Sequence, residues 1–178
     1  MNYIDQNLIF EDDKIYFINS RGEERQVMMS WENNLMKKHA DYICQNGGDI
    51  LEVGFGMGIA ADYIQANNPT SHTIVENHPQ IIEKAKAWAE GKSNVIIVEG
   101  DWLEKLSELS VYDGIFADTY GDENFANFAE TFPIIIKENG FARLNVGCKD
   151  TRAPHKKGNF PTASGTVSNT HLTLATKA

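Results

Sequence analysis

Seven consecutive residues, Glu52-Val53-Gly54-Phe55-Gly56-Met57-Gly58, constrain this chain more than any others. They join a short apolar run, residues 49–53, to a helix-patterned one, residues 59–66. Glycines at alternate positions let the backbone turn sharply and come close to a ligand, because no Cβ intervenes. A strand, a glycine-rich turn and a helix in this order form the start of a nucleotide-binding βαβ unit. The dinucleotide pattern is Gly-x-Gly-x-x-Gly. Here the third glycine comes one residue early, and Ile59 stands where that pattern wants glycine, which disfavours a nicotinamide oxidoreductase.

The rest of the chain repeats the same alternation. Strands are expected at 49–53, 72–75, 95–98, 112–117 and 141–146. Helices are expected at 59–66, 79–89, 103–109 and 124–137, with Pro79 at the first helical position and Pro133 disturbing the last helix. Alternating β and α at this spacing predicts a doubly wound, Rossmann-like α/β fold, with a parallel sheet and helices on both faces. Before it, residues 8–18 read as two short strands around an acidic turn, and 19–22 as another turn. A helix is expected from Trp31, capped by Ser30. Trp31, Leu35, His39, Tyr42 and Ile43 would share its face, and Gly47-Gly48 would stop it.

Ligands of open α/β sheets bind beyond the carboxyl ends of the strands, so the residues there are the candidates. Glu52 would sit badly beside a pyrophosphate. It suits a ligand with an ammonium group, such as the methionine part of S-adenosylmethionine, with Gly54, Phe55, Gly56, Met57 and Gly58 around it. Glu76, followed by Asn77, ends the second strand, where a carboxylate can accept both hydroxyls of a ribose. Asp101 can accept from an adenine amino group, and Trp102 can cover the ring or simply pack in the core. Asp118, in Asp118-Thr119-Tyr120, would face the methyl donor. Met28 and Met36 suggest core packing, whereas Glu32 is not needed for packing.

Composition narrows the class. The 178 residues suffice for one compact domain, and 42% hydrophobic with 23% charged residues is a globular profile. A net charge of −9 argues against a nucleic-acid groove, which needs clustered Lys and Arg, and suits cationic substrates better. Cys44 and Cys148 lack metal-ligand spacing, so two reduced cysteines and no metal are expected. No apolar run approaches the ~20 residues that span a bilayer. The first residues do not read as a signal peptide, which gives a cytoplasmic expectation. Residues 149–178 hold five of the 16 basic residues and one of the 25 acidic ones. Two readings of this stretch stay open: a flexible tail, and read-through of foreign or non-coding sequence.

Together the run 27–36, the turn 52–58, Ile74-Val75-Glu76, Gly100-Asp101-Trp102 and Phe116-Ala117-Asp118-Thr119-Tyr120 resemble guanidinoacetate N-methyltransferase and its relative, the protein-arginine δ-N-methyltransferase. The resemblance covers roughly residues 26–146. It implies a cover over residues 1–26, an S-adenosylmethionine-binding domain over 27–148 and a tail over 149–178, with the last two strands of the full fold missing. Met28 and Met36 would contact the donor, Phe55, Gly56 and Met57 its amino-acid end, Glu76 its ribose, and Asp101 with Trp102 its adenine. Glu32 and Asp118 would clamp a guanidinium, with Tyr120 beside them. That group is a planar fork of donors matching carboxylates bidentately. The acceptor would be a guanidino small molecule or a protein arginine, with no nucleic acid or membrane. The fifth strand is about one residue shorter than the family's, which leaves Asn145 without an assigned role. Two alternatives stay open: a methyltransferase of the same fold acting on another amine or hydroxyl, and a truncated module that binds without turnover.

Overall fold

The computed structural model describes residues 2–120 and 125–145. Two sheets form. The first holds β1 (Ile9–Phe10), β2 (Lys14–Ile18) and β3 (Glu24–Met29), antiparallel in that order. A single 3-10 turn, Ser30–Glu32, leads into α1 (Asn33–Ile43). The second sheet is built from β4 (Asp49–Val53), β5 (Ser71–Glu76), β6 (Val95–Glu99), β7 (Tyr112–Ala117) and β8 (Ile136–Leu144), in the order β6-β5-β4-β7-β8 with every pair parallel. The helices α2 (Ile59–Ala66), α3 (Pro79–Ala89) and α4 (Phe125–Ile135) connect these strands. The order reverses between β4 and β7, and that switch point is where such sheets bind ligands.

Side-chain alternation along the central strands assigns the two faces. Ile50, Ile74 and Phe116 pack under the first three helices, against Met36, Ile43, Ile64 and Ile81. Leu51, Val53, Val75 and Ile115 face the other way, onto Trp102, Phe128 and Phe132. Residues buried on both faces explain why these strands read as continuous apolar runs. Truncating a fully buried member such as Ile74 to Ala would cost about 2–5 kcal/mol.

Several sequence expectations are corrected. Residues 27–29 belong to β3, so the boundary expected at 26/27 falls inside a strand. The strand was masked by its charged first half, Glu24-Arg25-Gln26. Trp31 lies in the 3-10 turn, is 72% exposed, and does not share the buried stripe of α1, which is Met36, His39, Ala40 and Ile43. Ser30 makes no side-chain cap; Glu32 stands at the cap position of α1. The expected helix at 103–109 is only a 3-10 turn, Leu106–Glu108. The last helix stops at Ile135, two residues after Pro133, and runs directly into β8. Asn139, at φ 63°, lies in β8, which slips in register against β7 between Tyr112 and Gly114. The tail, 149–178, and Cys148 lie outside the described residues. Among the described residues no helix is long and apolar enough to cross a membrane, and no group of three or more His, Cys, Asp or Glu could hold a metal.

Candidate functional site

The carboxyl ends of the five strands are drawn level by the backbone itself. The N–H just past each strand donates to its neighbour: Gly100 to Glu76 O (2.9 Å), Gly54 to Val75 O (2.8 Å), Asp118 to Val53 O (2.9 Å) and Asn145 to Ala117 O (2.8 Å). The turns that leave the sheet therefore start from one rim. At the switch point they touch: a Cβ on Gly54, whose φ is 90°, would lie 2.1 Å from the Asp118 carbonyl oxygen. Only glycine fits there without moving one turn off the other.

On the β4–β5 side the polar groups are tied down. Glu76 is buried, and its carboxylate accepts three backbone N–H groups, from Phe55 (2.9 Å), Asn77 (2.9 Å) and His78 (2.9 Å). It thereby holds the glycine turn against the end of β5. The Asn77 side chain is exposed above it. Met28, from β3, accepts the Met57 N–H on its Sδ (3.0 Å) and lies where a Cβ on Gly56 would be, so the first sheet closes onto the turn. Gly58 lies under the ring of Phe55, and Phe55 itself packs on Trp88. Met36 is fully buried behind, in the core of α1. Glu52 is fully buried on the helix-covered face and shares a 2.9 Å hydrogen bond between its Oε2 and His72 Nε2; its Oε1 has no partner among the described residues. Burial pushes its carboxyl above the usual range, against the pull of His72.

On the β7–β8 side the carboxylates have few partners. Desolvation pushes Asp118 up to about 7; the side chain of Asn145 donates to it and opposes the rise, and the charges of Glu32 and Glu52 add to it. Glu32 is also raised by burial, and among the described residues its Oε1 accepts only the Met29 N–H (3.2 Å). The structure thus brings Glu32 and Asp118 within electrostatic range of each other, one from the 3-10 turn and one from the rim. Tyr120 packs in an aromatic group with Tyr3 (4.9 Å between centroids) and Phe17 (6.0 Å), and burial raises its hydroxyl. Tyr3 lies between Tyr120 and His78, and burial raises its hydroxyl too, with Glu76 adding to the rise. The N-terminal segment is pinned to the start of α3, just past β5, by His78 Nε2 with Gln6 O (3.1 Å) and by Leu8 N–H to Gln80 Oε1 (2.7 Å).

Beyond β6, Asp101 accepts the Leu103 N–H (2.9 Å) and shapes its own turn. Trp102 does not offer a free face: it is buried and stacked on Phe128, 3.8 Å between centroids and 9° from parallel. A cleft of about 280 Å³ opens elsewhere, between the first sheet and α3, lined by Phe10, Ile15, Phe55, Met57, Lys84 and Trp88 among others; neither Glu76 nor Asp118 reaches it. Two residues escape sequence reasoning: Asn145, a strand-end amide at the rim, and His72, near the amino end of β5, whose one signal is a polar residue in an otherwise apolar run.

The sequence profile described as guanidinoacetate N-methyltransferase matches residues 18–151. Protein arginine N-methyltransferase 2 of Aspergillus oryzae is 37% identical over 137 residues, which cover 73% of this chain and 32% of that protein. The chain thus spans about a third of the length of the curated relatives it matches. Among solved structures, protein-L-isoaspartate O-methyltransferase is similar at a TM-score of 0.54 and 27% identity, covering 76% of this chain and 42% of the other. Spermidine synthase from Thermotoga maritima, at 0.59 and 15% identity, covers 78% of this chain and 56% of its own, a likeness of fold alone.

Proposed function

The chain belongs to the guanidinoacetate N-methyltransferase family, and on that premise we propose that it transfers a methyl group from S-adenosylmethionine to a guanidino nitrogen. The observation that carries this reading is the pair of desolvated carboxylates, Glu32 and Asp118, within electrostatic range of each other, with Asp118 on the turn that touches Gly54. Two underpartnered carboxylates in range of each other are a costly arrangement unless a cation comes between them. A guanidinium fits, because its fork of N–H donors matches carboxylates. The relative from Aspergillus oryzae is named for arginine methylation, and the acidic chain suits a cationic acceptor.

The residues present suit the donor. Three glycines at positive φ, 54, 56 and 58, let the turn approach a ligand, and a buried oxygen of Glu52 is left unpartnered at the strand end beside it. Glu52 would take the ammonium end, Phe55, Gly56 and Met57 the chain next to it, and Glu76 the ribose, while Met28 and Met36 back the site. Asn77 and Asp101 stand where an adenine edge would lie, with Trp102 as packing behind them. When bound, the donor supplies an electrophilic methyl group. The chain's own work is positioning and proton removal: Glu32 and Asp118 hold the guanidinium, Tyr120 borders it, and Asp118, near neutrality, takes the proton the nitrogen loses.

The test is transfer of labelled methyl from S-adenosylmethionine to guanidinoacetate, to free arginine and to an arginine-containing peptide. Label on any one of them identifies the acceptor. Binding of S-adenosylhomocysteine with no transfer to any guanidino compound would sink the guanidino reading.

A further inference from the structure

We propose that His72 is a positioning residue for Glu52, and that Gln65 selects the imidazole tautomer through which it acts. The inference rests on the donor reading above and deepens it. A chain of three side chains runs from α2 through β5 to β4: Gln65 Nε2 lies 3.1 Å from His72 Nδ1, and His72 Nε2 lies 2.9 Å from Glu52 Oε2. Register makes this possible. Ile50 faces His72 and Glu52 faces Ile74 across the parallel pair, so His72 and Glu52 are diagonal neighbours on the face covered by the helices.

An ionised carboxylate can only accept, so a proton on Nε2 is what joins His72 to Glu52, and Nδ1 is then the acceptor for the Gln65 amide. Trp88 meets the imidazole edge-on at 6.1 Å and is itself held by Asp62 (2.7 Å), which keeps the ring from turning. One oxygen of Glu52 is thereby engaged, and the carboxylate is aimed. The other oxygen, Oε1, is buried with no partner. A buried acceptor without a donor is costly to keep unless a ligand supplies one. An open acceptor at the strand end beside the glycine turn is what an ammonium group of the donor would meet.

His72 also favours the ionised form of that acceptor, against the pull of burial. The other titratable groups facing Glu52 are Glu76 on β5, Asp62 on α2, Cys44 after α1 and Asp118 after β7. The three carboxylates oppose its ionisation, and the Cys44 thiol, which burial pushes up to about 12, offers no positive charge. Among the described residues only His72 hydrogen-bonds it. Without that donor, a fully buried carboxyl would hold its proton and lose its attraction for a cation.

The experiment has two arms on the full chain. Nitrogen-15 spectra of the imidazoles, without ligand, read the tautomer. Calorimetric titration with S-adenosylhomocysteine from pH 6 to 9 reads affinity. Wild type is expected to show the Nε2–H tautomer and binding that changes little with pH. His72→Phe should bind on the order of tenfold or more weakly and regain affinity as pH rises and Glu52 ionises. His72→Gln, which still offers an N–H, should recover most of the loss. Gln65→Leu, at a half-buried position, should disturb the tautomer and weaken binding a few-fold, and it decides the matter if His72→Phe does not fold. An Nδ1–H tautomer in wild type, or unchanged affinity and pH profile in His72→Phe, would overturn the proposal. Wild type that binds no S-adenosylhomocysteine would instead remove the donor reading, and this role with it.

Discussion

The two sides of the switch point treat charge in opposite ways. On the β4–β5 side, Glu76 accepts three backbone N–H groups and Glu52 is engaged by His72. On the β7–β8 side, among the described residues, Asp118 has one amide and Glu32 one backbone N–H, and the charge of Glu32 raises the cost of ionising Asp118. Carboxylates wired into the backbone hold a shape. Carboxylates left short of partners wait for a cation. A transferase needs both: one side that grips a constant donor, and one whose charge is completed only when the acceptor arrives.

Breaking each side in turn should separate these roles. Asp118→Ala should cut turnover on the order of 10³-fold, the range expected when an orienting base is lost. Calorimetry should find S-adenosylhomocysteine affinity within a few-fold of wild type. Glu76→Ala should do the reverse: donor affinity falls about tenfold to a hundredfold, and unfolding shows a loss of about 1–3 kcal/mol, because buried N–H groups lose their acceptor. Comparable losses in both variants on both readouts would erase the distinction between the sides.

The pH dependence sharpens it. On the proposed function the carboxylate pair must be ionised to receive a guanidinium, and burial pushes Asp118 up to about 7. The rate at low substrate should therefore rise with pH and level off above that point. Glu32→Gln removes a like charge and should move the midpoint down by a fraction of a unit, although it lowers the plateau. A midpoint that stays put would show that the two carboxylates are not in electrical contact. The smallest effect is on stability. Because the fold raises Asp118 from 3.8, it favours the acid form. Stability is therefore lost as pH climbs from about 4 through 7. Asp118→Asn should raise the melting temperature by a few degrees at pH 8 and leave it unchanged at pH 4; an equal shift at both would rule out this desolvation.

The contrast between the sides also marks what the sequence makes legible. The β/α alternation, the glycine turn and the acids at strand ends are local patterns, and residues 49–53, 59–66, 79–89 and 112–117 fold where the pattern places them. β3 was not legible, because Glu24-Arg25-Gln26 are hydrophilic and the following methionines fit a helix as well as a strand. Trp31 fits the helical spacing but sits on a 3-10 turn that points it outward. The stacking of Trp102 on Phe128, and the partners His72–Glu52 and Asn145–Asp118, depend on which elements become neighbours. No local pattern encodes that.

Gly54 gives this arrangement a mechanical consequence. Its missing side chain lets the turn after β4 rest directly on the carbonyl of Asp118, so the two turns behave as one jaw rather than two. If the proposed function holds, the spacing between donor and acceptor is set by the main chain at this contact, and a single methyl group added at position 54 would act as a wedge between the two turns.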